Sequence, residues 1–501
     1  MSSAGATGRL GLVLFGVMAG AACLAAAELA LRLVGAGEGA PGYDPFSGFS
    51  AAVPLFEPAA REDGTSIYRV SPARLDHSRA GRVDSRGREF LAEKPSEGFR
   101  IFVVGGSSAA GFPYGPNLAF SGVLERWLRP SLPGLTIEVV NAAVAGYSSR
   151  RVLITVREIA AHEPDLLIVY SGHNEWAERR YYSRLIDMDP RLFRLREGLF
   201  STRLFTVLSR LRPSGRPDAG EALTRLMEDE RREFVEMFAV FSDRADGRSY
   251  ATPGEIEQRD QLYHINLVEI VEAARGAGAQ VLLMSLSQNF SDWRPGASGH
   301  REDLSETQAN DWQRLLESGR QARSRGDCAA ALRHFDRALS IDADHAQLHF
   351  EIAGCHRSGG DEIEAWRHYR RASDLDRIPH GAPTYFNDLL HELAEQNELL
   401  WLDVDDLLRR DSGPGLVGND LFVEFAHPNL RAHQLIAGAL VTTLRASELP
   451  RPAHEWVEEA IPDPDPERLY AANPELRARE QEAIRFVCAL ARRPDCEVGQ
   501  E

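Results

Sequence analysis

The sequence has little cysteine and no surplus of positive charge, and each shortage removes a class of chemistry. Five cysteines are spread over 501 residues, at Cys23, Cys328, Cys355, Cys488 and Cys496. None forms a Cys-x-x-Cys pair or a Cys/His cluster with zinc-finger spacing, so no structural metal and no cofactor is expected. Cys23 falls in an apolar stretch, which leaves four that could pair if the body of the protein faces an oxidising compartment. Buried free thiols are the alternative. Acidic residues outnumber basic ones by 74 to 57, for a formal net charge of -17. That balance lacks the basic footprint of a nucleic-acid-binding protein, so nucleic acid is not an expected partner. Long hydrophobic runs are also scarce, with one exception.

The exception spans residues 10–33, LGLVLFGVMAGAACLAAAELALRL, interrupted only by Glu28 and Arg32. Its length and apolarity predict a transmembrane helix, a membrane anchor or signal-anchor within residues 1–38. Arg9 before it favours a cytoplasmic N-terminus, with the remainder extracytoplasmic (periplasmic). Ala25 to Ala27 also resembles a signal-peptidase site, so cleavage is the competing reading. Cys23 makes a poor lipobox, because the usual leucine three residues upstream is missing.

Residues 39–98, rich in Gly, Pro, Ser and charge, read as a linker and irregular segment. A series of short apolar runs follows: RIFVVGGSS from Arg100, LTIEVVNAA (135–143), DLLIVYSG (165–172), QVLLMSLS (280–287) and LLWLDV (399–404). Helix-like segments 121–128, 151–162 and 262–277 separate them. Unbroken apolar strands alternating with helices predict a three-layer α/β/α fold around a parallel sheet. The stretch 176–260 interrupts the alternation as either a lid or a surface excursion.

A second interruption repeats with a period of 34: Gly326 and Gly360, Ala331 and Ala365, Phe335 and Tyr369, Ala338 and Ala372. Small residues at these positions let paired helices approach while the aromatic fills the gap between neighbours. The pattern resembles tetratricopeptide repeats, lacking their usual terminal proline, and predicts an all-α insert over 310–380. A peptide partner at the repeats is the corresponding expectation. The α/β domain is then discontinuous, 99–300 and 381–450, with a helical tail over 451–501 that carries no evident chemistry.

Chemistry concentrates at the strand ends. VVGGSSAAG places Ser107 in a turn of small residues, where a hydroxyl can be exposed as a nucleophile. NAAVAGYSS, YSGHNEW and LFVEFAHPN follow in order. Singly, each has a plainer reading: a glycine-serine turn, an asparagine closing a turn, a His-Pro loop. Together they resemble the four blocks of SGNH (GDSL-type) hydrolases. Gly105, Gly106, Ser107 and Gly111 match the first block, Gly146 the second, Asn174 the third, and Glu424 to His427 the fourth. Three positions depart from the family pattern, with Gly106, Glu175 and Glu424 each standing where it has aspartate.

The resemblance implies Ser107 as nucleophile, His427 as general base and Glu424 as the carboxylate that orients it. It implies an oxyanion hole made by the Ser107 and Gly146 N–H groups and the Asn174 side chain. Tyr147, His173 and Trp176 could contact substrate or simply pack. The expected activity is cleavage of O-acyl esters, acetyl foremost, on carbohydrate or cell-envelope substrates. The alternatives are O-acyl transfer, a lipid esterase or thioesterase using the 176–260 segment as lid, and a non-catalytic assembly protein with the hydrolase domain as scaffold.

Overall fold

The computed structural model describes residues 4–36, 54–71, 88–176, 202–204, 207, 253–301, 303–377, 381–413, 415–457 and 464–490. Most of the 176–260 stretch, together with Cys496, therefore lies outside the described residues. The chain divides into two compact units, Met1–Pro54 with Tyr181–Glu233, and Leu55–Arg180 with Phe234–Glu501.

Within the first unit, helix α1 covers Ala4–Leu33. Its carboxylate Glu28 accepts the backbone N–H groups of Arg203 and Leu204 at 3.1 and 2.9 Å and pairs with Arg32 Nε at 2.8 Å. The side chains of residues 4–15 lie outside the described residues. Among the described residues, no helix is long and apolar enough to cross a membrane.

The second unit is built on a five-stranded, fully parallel sheet: β4 (Gly98–Gly105), β5 (Thr136–Asn141), β6 (Leu166–Tyr170), β7 (Gln280–Met284) and β8 (Leu400–Leu402). Their order is β5-β4-β6-β7-β8. The five apolar runs of the sequence each supply one strand. Chain direction across the sheet reverses between β4→β5 and β5→β6. Right-handed crossovers therefore put α3 (Phe120–Ser131) and α4 (Ser149–Ile159) on opposite faces. Helix α12 (Leu430–Ala446) packs with α3, and α5 (Pro253–Gly276) with α4. With both faces covered, β4 is buried from Phe99 to Gly105 and shows no alternation.

Residues 39–98 are not simply irregular, which corrects the expectation from sequence. They contain an antiparallel sheet of β1 (Phe56–Ala60), β2 (Ser66–Val70) and β3 (Glu89–Leu91). Its strands are short and β1, at the edge, carries Pro58, a residue that reads as a strand breaker but is tolerated there. Phe56 and Phe90 pack edge-on against Phe102 at 5.8 and 5.3 Å, joining the small sheet to the large one.

Arg100 completes that junction. It is 1% exposed, and its three nitrogens donate to Glu138 Oε2, His162 O and Leu91 O, each at 2.8 Å. Glu138 Oε1 accepts the Leu91 N–H at 2.7 Å, so one buried ion pair links β3, β4 and β5.

Between β7 and β8 the chain forms two helical hairpins, α6 (Glu306–Ser324) with α7 (Cys328–Ile341), and α8 (Ala346–Ser358) with α9 (Glu362–Asp374). The 34-residue period is visible in their turns. Gly326 and Gly360 have φ of +79° and +78°, and the next residues, Asp327 and Asp361, cap α7 and α9. Gly319 is a close-approach site, since a Cβ there would lie 2.2 Å from the Phe335 ring. After α10 (Tyr385–Gln396), β8, α11 (Val404–Asp411) and α12, the tail forms α13 (Pro466–Ala472) and α14 (Glu475–Leu490). Leu476 of α14 packs with Tyr114 and Leu430, and the hydroxyls of Tyr114 and Tyr470 both donate to Glu480. Cys488 is disulfide-bonded, whereas Cys23, Cys328 and Cys355 are free thiols.

Replacing Glu138 by Gln leaves the Arg100 guanidinium buried without its counter-charge. The expected loss is about 3–5 kcal/mol of unfolding free energy, read from the midpoint and slope of guanidinium denaturation. A loss below about 1 kcal/mol, the size of an ordinary surface ion pair, would show that the junction is not held by this pair.

Candidate active site

The site lies at the carboxyl ends of β4, β5 and β6, beside the reversal in strand order, where parallel α/β sheets leave a crevice. Strand β4 ends at Gly105 with φ +153°, and a Cβ there would meet Tyr170 O at 2.0 Å. Only glycine lets β4 turn this close to β6. The chain then enters the single turn α2 (Ser107–Ala110), with the Ala110 N–H on Gly106 O at 3.0 Å, and leaves it at Gly111, φ +84°. Ser107 is half-buried at the start of this turn.

His427 reaches Ser107 from far along the chain. Its Nε2 is 2.6 Å from Ser107 Oγ, and its Nδ1 is hydrogen-bonded to Glu424 Oε1. An ionised carboxylate only accepts, so Nδ1 carries the proton and Nε2 faces the serine as an acceptor. Glu424 is 1% exposed, and its second oxygen takes the Phe425 N–H at 2.9 Å. The loop is pinned on both flanks. Val423 N–H donates to His427 O at 2.9 Å, Asn289 N–H to Phe425 O at 2.8 Å, and Ser108 Oγ–H to Ala426 O at 2.8 Å. Asn429 then caps α12 through the Ala432 N–H. Ser108, which nothing in the sequence singles out, thus ties the serine turn to the histidine loop. Phe112 lies against the His427 ring at 4.7 Å.

Asn174 is also brought to the serine turn. Its Nδ2 donates to Tyr147 O at 3.0 Å, and a Cβ on Gly106 would lie 2.2 Å from that nitrogen and 3.2 Å from Tyr147 O. The first three sequence blocks therefore meet around Gly106, and its missing side chain is what lets Asn174 approach. Gly146, φ +79°, precedes Tyr147 in the turn after β5. The Glu175 oxygens accept the Ser149 N–H and Oγ–H, both at 2.7 Å, and fasten the start of α4. Trp176 is buried, with Arg259 5.5 Å above its ring.

Two further histidines stand near His427. His173 Nδ1 accepts the Ala382 N–H at 3.1 Å, and His433 Nδ1 accepts the Phe120 N–H at 3.2 Å. Burial, reinforced by the proximity of His427, lowers the pKa of each to about 3. Both are therefore neutral near pH 7, with the proton on Nε2, which has no hydrogen-bond partner among the described residues.

No family model matches the chain, and no curated protein matches it. Among solved structures it is similar to a protein named as lipolytic and of the G-D-S-L family from Desulfitobacterium hafniense, at 8% identity over 69% of this chain and 99% of that one, with a TM-score of 0.29. It is also similar to a GDSL-like lipase from Bacteroides thetaiotaomicron, at 9% identity over 72% of this chain and 93% of that one, with a TM-score of 0.30.

The buried histidines make stability depend on pH. Unfolded, each titrates near 6.5, and folded, near 3. Between those values the unfolded chain binds the extra protons, so this contribution is fully present above about pH 6.5 and is lost as the pH falls toward 3. The expected slope is roughly 1 kcal/mol per pH unit for each histidine, measured as guanidinium midpoints between pH 7 and 4.5. His433→Gln should flatten the slope by about one proton, and an unchanged slope would contradict the assignment.

Proposed function

We propose that this chain is a serine hydrolase of SGNH type that cleaves O-acyl esters through an acyl-serine intermediate. The observation that carries the reading is the relay Ser107–His427–Glu424, in which a half-exposed hydroxyl, a correctly oriented imidazole and a buried carboxylate are hydrogen-bonded in series. The order of the four sequence blocks supports it independently of that geometry.

In the proposed reaction Ser107 Oγ attacks the acyl carbonyl while its proton passes to His427 Nε2. Glu424 holds the imidazole tautomer and stabilises the imidazolium that forms. An amide nitrogen carries two hydrogens. Asn174 uses one on Tyr147 O and has the second for the oxyanion, alongside the backbone N–H groups of Ser107 and Gly146. Each such donor is worth about 3 kcal/mol, because it meets charge that exists only in the transition state. His427 returns the proton to the leaving alcohol, and water, or a sugar hydroxyl in a transferase variant, attacks the acyl-serine in a second half-reaction.

The proposed substrates are short-chain acyl esters, acetyl foremost, on carbohydrate of the cell envelope. This rests on the apolar stretch of residues 10–33, read as an anchor that holds the catalytic unit at the extracytoplasmic membrane face.

A fluorophosphonate probe on the full-length protein tests the chemistry. Labelling of the parent should be stoichiometric, absent in Ser107→Ala, and slower by at least about a hundredfold in His427→Ala. Labelling retained in Ser107→Ala, or a folded parent that does not label, would sink the proposal.

A further inference from the structure

The second helical hairpin, remote in sequence from the serine, carries a group of metal-binding side chains. His356 in the last turn of α8, and Glu364 and His368 on α9, each bring one donor atom within 4.8 Å of the others. Glu364 and His368 are four residues apart, so they share a helix face.

What marks this group is the state of the ring nitrogens that do not face it. His368 Nδ1 lies 2.8 Å from His349 Nδ1, and His349 Nε2 lies 2.9 Å from Ala343 O. A carbonyl can only accept, so His349 Nε2 bears the proton, His349 Nδ1 accepts, and His368 Nδ1 donates. His368 Nε2 therefore keeps its lone pair. His356 Nδ1 faces Asp361 Oδ2 at 3.3 Å, which leaves its Nε2 as the other donor. Metal-ligating histidines characteristically hold their second nitrogen against a carboxylate or carbonyl; here His368 does so through the His349 relay, and His356 has the Asp361 carboxylate 3.3 Å away.

We propose that His356, Glu364 and His368 form a binding site for a divalent transition metal, zinc by the borderline character of two imidazoles and one carboxylate. Three protein ligands with a water in the fourth position complete a tetrahedral set. Bonds of about 2.0–2.2 Å place adjacent donors about 3.3 Å apart, a contraction on the order of 1 Å from the present spacing. The metal ties α8 to α9 across the hairpin.

Arg367 reaches the same donor atoms. Its guanidinium donates to Glu364 Oε2 through Nε at 2.9 Å and also through Nη2, and Nη2 lies 3.1 Å from His368 Nε2. One cation thus already bridges two of the three donors. The Arg367 side chain is 64% exposed, so it can leave for solvent at little cost. Metal and guanidinium compete for the same electron pairs, and that competition gives the site a signature no incidental histidine cluster would have.

The test is calorimetric titration of Zn²⁺ into the chelator-treated, full-length, detergent-solubilised protein. Binding at one ion per chain is expected, weakened at least about tenfold by His356→Ala, His368→Ala or Glu364→Gln, and about tenfold or more by the relay variant His349→Ala. Arg367→Gln should tighten binding several-fold, an outcome that misfolding cannot produce. Visible absorption of the Co²⁺ form reports tetrahedral coordination and should vanish in His368→Ala. Absence of binding, binding indifferent to His356→Ala and His368→Ala, or binding weakened by Arg367→Gln overturns the proposal. Probe labelling of Ser107 on the same samples reports separately on the hydrolase reading.

Discussion

The hydrogen bond from Ser107 to His427 joins residues 320 positions apart, and the second unit is arranged so that it can form. Parallel strands put their carboxyl ends on one edge of the sheet, so the turns after β4, β5 and β6 converge without special loops. The fourth block is not a strand end. It is a loop before α12, and it has to be held in place by its neighbours. The Asn289–Phe425 and Ser108–Ala426 hydrogen bonds supply that hold from the turn after β7 and from the serine turn itself. A loop anchored at both flanks costs the imidazole little further entropy when it meets the hydroxyl.

Charge is distributed to the same end. The buried pair Arg100–Glu138 sits in the strands, away from the carboxyl-end turns, and serves the junction between the two sheets. Near the serine, Glu424 is the buried carboxylate, while His173 and His433 are kept neutral by burial. In the proposed reaction a second protonated imidazole there would oppose the imidazolium formed on His427. Neutral neighbours leave the field of Glu424 to act on His427 alone.

Much of this was legible because the sheet is buried on both faces. Each strand of it lies in a largely apolar run that needs no tertiary information to find, and the four blocks sit at the ends of those runs or in the loop they face. The strands that sequence reasoning missed fail for the opposite reason. β1 to β3 are short, one contains Pro58, and their stability comes from Phe56 and Phe90 packing on Phe102, a contact invisible in one dimension. Arg100 shows the same limit, because an arginine inside an apolar run reads as a strand boundary until Glu138, Leu91 and His162 are seen around it. The roles of Ser108, Glu175 and the tail residue Glu480 depend on partners distant in sequence. A search for metal sites guided by cysteine spacing passes over His356, Glu364 and His368, whose grouping depends on how α8 meets α9.

The departures from the block pattern become intelligible as geometry. At the first, glycine leaves free the space that the Asn174 amide occupies, 2.2 Å from where a Cβ would lie. At the third, the longer Glu175 reaches past the turn to both polar groups of Ser149, an anchor for α4. The fourth is the subtlest, since an added methylene in Glu424 could carry its carboxylate past the imidazole. Instead the side chain turns back on its own loop, with one oxygen on the N–H of the next residue, Phe425, and the other on His427 Nδ1. The extra reach is consumed by that local bond. A carboxylate held at both oxygens keeps its place beside the histidine, as the proposed relay needs.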